Sequence, residues 1–205
     1  MSTVSPEPLT TSDVDATADV LVRAFVDDPG LLFVLPDPTE RARLVPSLAR
    51  AAIRYALRGG APVVTSGVAR GVALWFPPDA PALNAKELAE TGLPRVPEQI
   101  GPAAWQRCQR LLDHLDALHP QLMPDPHWYL ALLGVDPLWQ RQGIGEGLMQ
   151  GVFSQADPAG LACYLEAPTE GNARYYERRG FRVLMETDVP QSDVHVWLMR
   201  RDPAS

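Results

Sequence analysis

The sequence predicts an α/β fold, and three observations carry that expectation. The run His127-Trp128-Tyr129-Leu130-Ala131-Leu132-Leu133-Gly134-Val135 is apolar and strand-length, and Asp136-Pro137 breaks it. Glycines at 143, 145 and 147 follow, and then Leu148, Met149, Val152 and Phe153 recur on one helix face. A second strand-like run, Leu161 to Ala167, leads into a short helical stretch closed by Gly180-Phe181. A glycine at a helix C-terminus accepts the left-handed backbone needed there, and Phe181 then starts another strand. Strands alternating with helices are the pattern of a sheet covered by helices.

The other elements are justified in chain order. From Asp13 to Phe25, Val14, Ala18, Leu21, Val22 and Phe25 share one side of a helix, which Asp27-Asp28-Pro29 ends. Arg41 to Leu57 is an amphipathic helix closed by Gly59-Gly60, and Pro62 to Ser66 and Gly71 to Phe76 are a strand pair. Residues 77–126 hold many of the 21 prolines, yet helix patterns persist there. Asn84 caps a short helix through Glu90. Pro102 suits a helix start, and Trp105, Cys108, Leu111, Leu112, Leu115 and Leu118 follow at near-helical spacing until His119-Pro120. This segment is therefore expected to be an ordered helical insert. Val183 to Thr187 and Val194 to Met199 are the closing strands, all within one domain spanning 1–205.

The chemistry concentrates at Gln140-Arg141-Gln142-Gly143-Ile144-Gly145. A glycine turn that opens a helix directly after a strand leaves several N–H groups unpaired and convergent, and the helix dipole adds partial positive charge. Such a turn holds phosphate. There is no Lys for a Walker A loop, and the glycine spacing is not that of a Rossmann fingerprint. The segment resembles the Gln/Arg-x-x-Gly-x-Gly/Ala signature of the GNAT acetyltransferase superfamily. Downstream, Asn172-Ala173-Arg174-Tyr175-Tyr176-Glu177-Arg178-Arg179-Gly180-Phe181 resembles that family's second motif, in the expected order. The likeness covers roughly 1–76 and 127–202 and leaves 77–126 outside the common core.

This resemblance implies a mixed, mostly antiparallel central sheet flanked by helices and splayed between its fourth and fifth strands. It implies acetyl-coenzyme A as co-substrate, with Gln140, Arg141, Gln142, Gly143, Ile144 and Gly145 around its pyrophosphate. Leu133, Gly134 and Val135 would face its pantetheine and thioester, and Asn172 the pantetheine arm. Tyr176 maps to the general acid, since a phenol with pKa near ~10 stays protonated and can protonate a departing thiolate. Glu166, at the end of the fifth strand, is the candidate base, with a structural acceptor role as the alternative. For Gly134, relief of crowding is the alternative, and for Tyr176 it is plain core packing. Tyr175 is expected to pack or to wall the substrate. His127 opens the central strand as a satisfied histidine, and His114, His119, His127 and His195 have no metal-ligand spacing. Asp27-Asp28 could select a cationic amine or simply turn the chain.

Composition limits the partners. A formal charge of −7 argues against nucleic acid or an anionic membrane and favours a neutral or cationic substrate. No stretch is apolar enough to span a bilayer, and Met1 to Thr10 has no signal-peptide pattern. Cys108 and Cys163 stand apart with no CxxC pair, which suits a cytoplasmic location. The function expected is direct acetyl transfer to a small-molecule or peptide amine, with no metal and with a homodimer possible through the insert helix. The alternative is a non-catalytic acyl-coenzyme A-binding or sensing domain of the same fold.

Overall fold

A computed structural model of the chain describes residues 5–204. Of the stretch read for a signal peptide, residues 1–4 lie outside the described residues. The element order is β1 (Pro6–Pro8), α1 (Val14–Ala24), α2 (Pro29–Val34), α3 (Pro38–Gly59), β2 (Val63–Thr65), β3 (Gly71–Phe76), α4 (Ala85–Thr91), α5 (Val96–Leu122), β4 (His127–Val135), α6 (Ile144–Ala156), β5 (Ala162–Ala167), α7 (Glu170–Glu177), β6 (Phe181–Asp188) and β7 (His195–Arg201). The strands form one sheet in the order β1-β2-β3-β4-β5-β7-β6. Every pairing is antiparallel except β4 with β5, which the helical crossover α6 connects.

That parallel pair is short. His127, Trp128 and Tyr129 pair with Ala162, Cys163 and Tyr164, and the pairing stops there. From Leu130 to Val135, β4 stays bonded to β3 while its other edge faces a gap. The sheet is thus splayed between its fourth and fifth strands, as expected. A bulge shifts the β3–β4 register, since Leu74 pairs with Leu132 but Trp75 with Leu130, leaving Ala131 as the extra residue.

Helices cover both faces. On one, α6 and α7 bury Leu148, Met149, Val152, Phe153 and Tyr176 against Trp75, Trp128, Leu165 and Met199. On the other, α1 and α3 pack Ala18, Leu21 and Ile53 onto Val72 and Leu74. Beside them α5 sets Leu111, Leu115, Leu118 and Leu122 against Tyr164, Val196 and Leu198. Most of the apolar stripe of the insert helix thus packs inside the chain, while Leu112 stays exposed.

Several boundaries differ from the sequence expectations. Asp27-Asp28-Pro29 does not simply end α1. Asp28 starts α2, accepting from the Leu31 amide at 2.9 Å with Pro29 at the first turn. Its carboxyl is thus occupied as a helix cap and is raised above the usual range by burial. Asp37-Pro38 does the same for α3, whose start lies three residues before the expected Arg41. Gly101, at φ 77°, breaks α5 so that Pro102 does begin a new helical run. That run passes His119-Pro120 and ends at Leu122. The three-residue edge strand β1 had no sequence signal, because Pro6 and Pro8 mask it.

Candidate active site

The strand–turn–helix at β4 and α6 builds a cradle for anions. Asp136 caps the turn after β4, accepting from the Leu138 amide at 3.0 Å. The chain then passes through two left-handed residues, Arg141 at φ 59° and Gly143 at φ 81°. For arginine this backbone is unfavourable, which marks the turn as a strained functional segment. Gly143 caps α6 without any side-chain hydrogen bond, so the first-turn amides of Ile144, Gly145 and Glu146 are left for a ligand.

A cavity of about 580 Å³ opens on this turn. Its walls include Leu133 and Val135 from β4, Gln140, Arg141, Gly143, Ile144 and Gly145 from the turn, and Asn172 and Tyr176 from α7. Nine of the expected site residues thus meet in one place. Gln142 is exposed and not in the cavity wall. Gly134 is not in it either. A Cβ at Gly134 would lie 2.9 Å from Leu21 Cδ2 and 3.3 Å from Ala24 Cβ, so its lack of a side chain relieves crowding against α1. Replacing Gly134 with Val is expected to cost ~1–3 kcal/mol of stability by overpacking. Urea unfolding should show that loss, and acetyl-coenzyme A affinity should persist in the folded variant.

Tyr175 also lines the cavity, and the structure adds residues without an expected role: Arg178, Arg179, Glu146, Trp139 and Gly171. Arg179 donates to Glu146 at 3.0 Å and stacks on the Tyr175 ring at 3.7 Å. The spacing Asn172, Tyr175, Tyr176, Arg179 is i, i+3, i+4, i+7, so one face of α7, continued into the turn after it, supplies the wall. That signal was readable in the sequence. With Arg141, Arg178 and Arg179 against Glu146, the cavity favours a polyanion.

Tyr176 is 8% exposed, with Tyr175 and Phe181 rings edge-on to it. Its phenol makes no hydrogen bond among the described residues, and burial raises its pKa above the usual phenol value, so it stays protonated. Tyr175 sits elsewhere in the cavity: its hydroxyl lies 2.5 Å from where a Cβ of Gly145 would be.

Glu166 lies on the opposite face of the sheet. Its strand neighbours Leu165 and Ala167 share the core of Tyr176, whereas Tyr164 faces α5. Alternation along β5 puts Glu166 on the Tyr164 side. Tyr129 donates to Glu166 Oε2 at 2.9 Å. Burial is the main reason the carboxyl is raised to about 7, and the nearby charge of Asp116 adds to it, while the Tyr129 hydrogen bond works the other way. Above the site, His119 of α5 stacks on Tyr164 with centroids 4.1 Å apart. Its Nε2 lies 2.7 Å from His127 Nε2, so one ring nitrogen donates and the other accepts. Burial, aided by the neighbouring His127, pulls His119 down to about 4, so it is neutral near pH 7. His127 also bonds the Asp125 carbonyl at 2.7 Å and is satisfied, as expected of a strand-end histidine. His195 instead bridges Asp188 and Glu186 on the exposed β6–β7 edge.

The comparisons with known proteins agree with this geometry. A model described as the acetyltransferase (GNAT) domain matches residues 107–183. The match begins inside α5, in the segment that had looked foreign to the common core. Among solved structures, a histone acetyltransferase HPA2-related acetyltransferase from Corynebacterium glutamicum is similar at TM-score 0.66 and 24% identity, covering 98% of this chain and 97% of that one. Arylalkylamine N-acetyltransferase 2 from Aedes aegypti gives TM-score 0.62 at 17% identity, over 97% and 98%. Polyamine N-acetyltransferase from Drosophila melanogaster gives TM-score 0.61 at 13% identity, over 96% and 98%. The glycine turn and the splayed β4–β5 pair lie within the segment that matches the acetyltransferase (GNAT) domain, residues 107–183, and the whole chain has the fold of these acetyltransferase structures.

Proposed function

We propose that the chain is an acetyl-coenzyme A-dependent N-acetyltransferase that acts on a primary amine of a small molecule or peptide by direct transfer. The observation that carries this reading is the placement of Glu166 and Tyr176 on opposite faces of the sheet beside the gap between β4 and β5. The co-substrate supplies an acetyl thioester already activated for attack. The free amides at the start of α6 and Arg178 and Arg179 just after α7 would hold its phosphates, and Asn172 its arm. The unpaired edge of β4 offers backbone N–H groups to charge developing on the carbonyl oxygen.

An amine enters from the Glu166 side and must be neutral to attack. Glu166 takes the amine proton as the new C–N bond forms. Tyr176, protonated across the working pH range, gives its proton to the sulfur as the C–S bond breaks and is reprotonated from solvent. Neither step needs a covalent enzyme intermediate. The Aedes and Drosophila neighbours are, by name, amine acetyltransferases, which supports nitrogen as the acceptor. The insert helix α5 covers the face that Glu166 occupies, so it shapes acceptor access. Among the described residues no helix is long and apolar enough to cross a membrane, and the free Cys108 and Cys163 suit a reducing, cytoplasmic setting.

Thiol release with a panel of amines, checked by the mass of the product, tests this function. The expected outcome is amine-dependent turnover whose kcat/KM rises with pH through about 7, as Glu166 loses its proton. Tight coenzyme A binding with no turnover on any amine would favour a sensing domain. Replacing Glu166 with Gln separates chemistry from structure. A carboxyl raised from 4.5 to about 7 is least costly to the fold when protonated, so its penalty on the folded state builds as pH rises from 4.5 to about 7 and is complete above that, at ~3 kcal/mol at most. The Gln variant is therefore expected to be more stable than the parent at pH 8 and to have lost the ascending limb of activity.

A further inference from the structure

The register of β4 and β5 sets two side chains across the opening of the sheet. Tyr129 is the last β4 residue paired to β5, opposite Tyr164. Glu166 is two residues further on, on the same face as Tyr164, just where the strands part. The Tyr129 phenol reaches across this opening to one carboxylate oxygen, at 2.9 Å. The tyrosine itself is wedged on all sides. Phe76 of β3 lies 6.4 Å away by ring centroid, Tyr164 5.9 Å, and His119 of α5 4.9 Å, edge-on. A rotamer locked in this way holds its hydroxyl still.

We propose that Tyr129 is the positioning residue for Glu166: it fixes one carboxylate oxygen, aims the other at the incoming amine, and tunes the basicity of the group. The inference rests on Glu166 being the base, and it adds a residue that neither family motif contains. The titratable groups facing Glu166 are Tyr129 and His127 from β4, Tyr164 from β5, and Asp116 and His119 from α5. Leu198, its partner on β7, brings no charge. Both phenols favour the charged carboxylate, Tyr129 through the hydrogen bond of 2.9 Å to Oε2 and Tyr164 from the same strand as Glu166. The Tyr129 phenol stays protonated, since burial and the adjoining Glu166 both push it well above the usual value. A donor to the carboxylate favours the charged form, so its loss makes Glu166 a group that ionises only at higher pH.

The test is the pH profile of kcat/KM for Tyr129→Phe beside Glu166→Gln and the parent. In Tyr129→Phe the ascending limb is expected to move up by about one pH unit, so that activity falls about five- to tenfold on the acidic side and recovers in alkali. Acetyl-coenzyme A affinity should stay at the parent value, because Tyr129 does not line that cavity. Site-specific 3-fluorotyrosine at position 129 keeps the shape and strengthens the donor, so it should move the limb the other way. It also carries the test if the Phe variant does not fold. A limb that vanishes in Glu166→Gln but stays put in both Tyr129 variants overturns the role of Tyr129 and leaves Glu166 as base. A limb that survives in Glu166→Gln overturns the base assignment, and the Tyr129 proposal falls with it.

Discussion

Replacing Tyr176 with Phe is expected to lower kcat by ~10²-fold while acetyl-coenzyme A affinity stays within a few-fold of the parent. The ring is 8% exposed and held between Tyr175 and Phe181. Its hydroxyl makes no hydrogen bond among the described residues, so removing it leaves no buried partner unsatisfied and should cost little stability. Tyr176 lines the cavity wall that Leu133 and Val135 share, beside the unpaired edge of β4. Burial raises its pKa, so the proton is present throughout the working pH range. The loss therefore falls on the step that needs a proton at sulfur. Pre-steady-state thiol release under conditions where chemistry limits turnover is the measurement. Parent-rate release in a folded Tyr176→Phe variant would transfer the acid role to water or to another donor. Tyr175 is a poor substitute, because its hydroxyl sits over Gly145 at the phosphate turn, with the Arg179 guanidinium stacked on its ring.

What could be read in the sequence follows the range of the forces involved. β3, β4 and β5 stood out because strands buried on both faces are continuous apolar runs. The turn at Gly143 and the C-terminal Gly180 were readable because each needs a left-handed backbone, at φ 81° and 85°. Asn84 was readable as a cap because its partner is three residues away, and the Glu87 side chain completes the box. By contrast α2 has six residues, too few for a helical period, and its signal was the Asp-Pro pair that had suggested a turn. The packing need at Gly134 could not be assigned to partners, because the residues that need its small size, Leu21 and Ala24, are more than a hundred positions away in the chain. The Tyr129–Glu166 contact spans 37 residues and depends on the β4–β5 register, which no local pattern encodes. Arg179 is the instructive middle case. Its position in line with the Asn172–Tyr176 face of α7 was legible, but its pairing with Glu146 of α6 needed the fold.

Replacing Gly143 with Val is expected to weaken acetyl-coenzyme A binding by ~10²-fold or more while the fold persists. No atom lies within 4 Å of the added Cβ, so crowding is not the cause. The cause is the backbone. Gly143 sits at φ 81° and ψ −1°, where a β-branched side chain is a genuine outlier. Arg141, at φ 59°, already carries one such strain two residues earlier. A second one drives the turn toward negative φ and rotates the amides of Ile144, Gly145 and Glu146 off their common focus. Losing two or three amide–phosphate hydrogen bonds, each worth ~1.5–3 kcal/mol with a charged acceptor, is enough for the expected change. Three further substitutions isolate this argument. Gly143→Asn tolerates the left-handed region and should bind within a few-fold of the parent. Gly147→Ala adds a Cβ that meets nothing, one turn into α6, and should leave affinity unchanged. Arg141→Ala should cost less than Gly143→Val, because backbone amides make much of the contact. Calorimetry on the folded proteins decides it: parent affinity in Gly143→Val would mean that the phosphates are held by Arg178 and Arg179 and not by the turn.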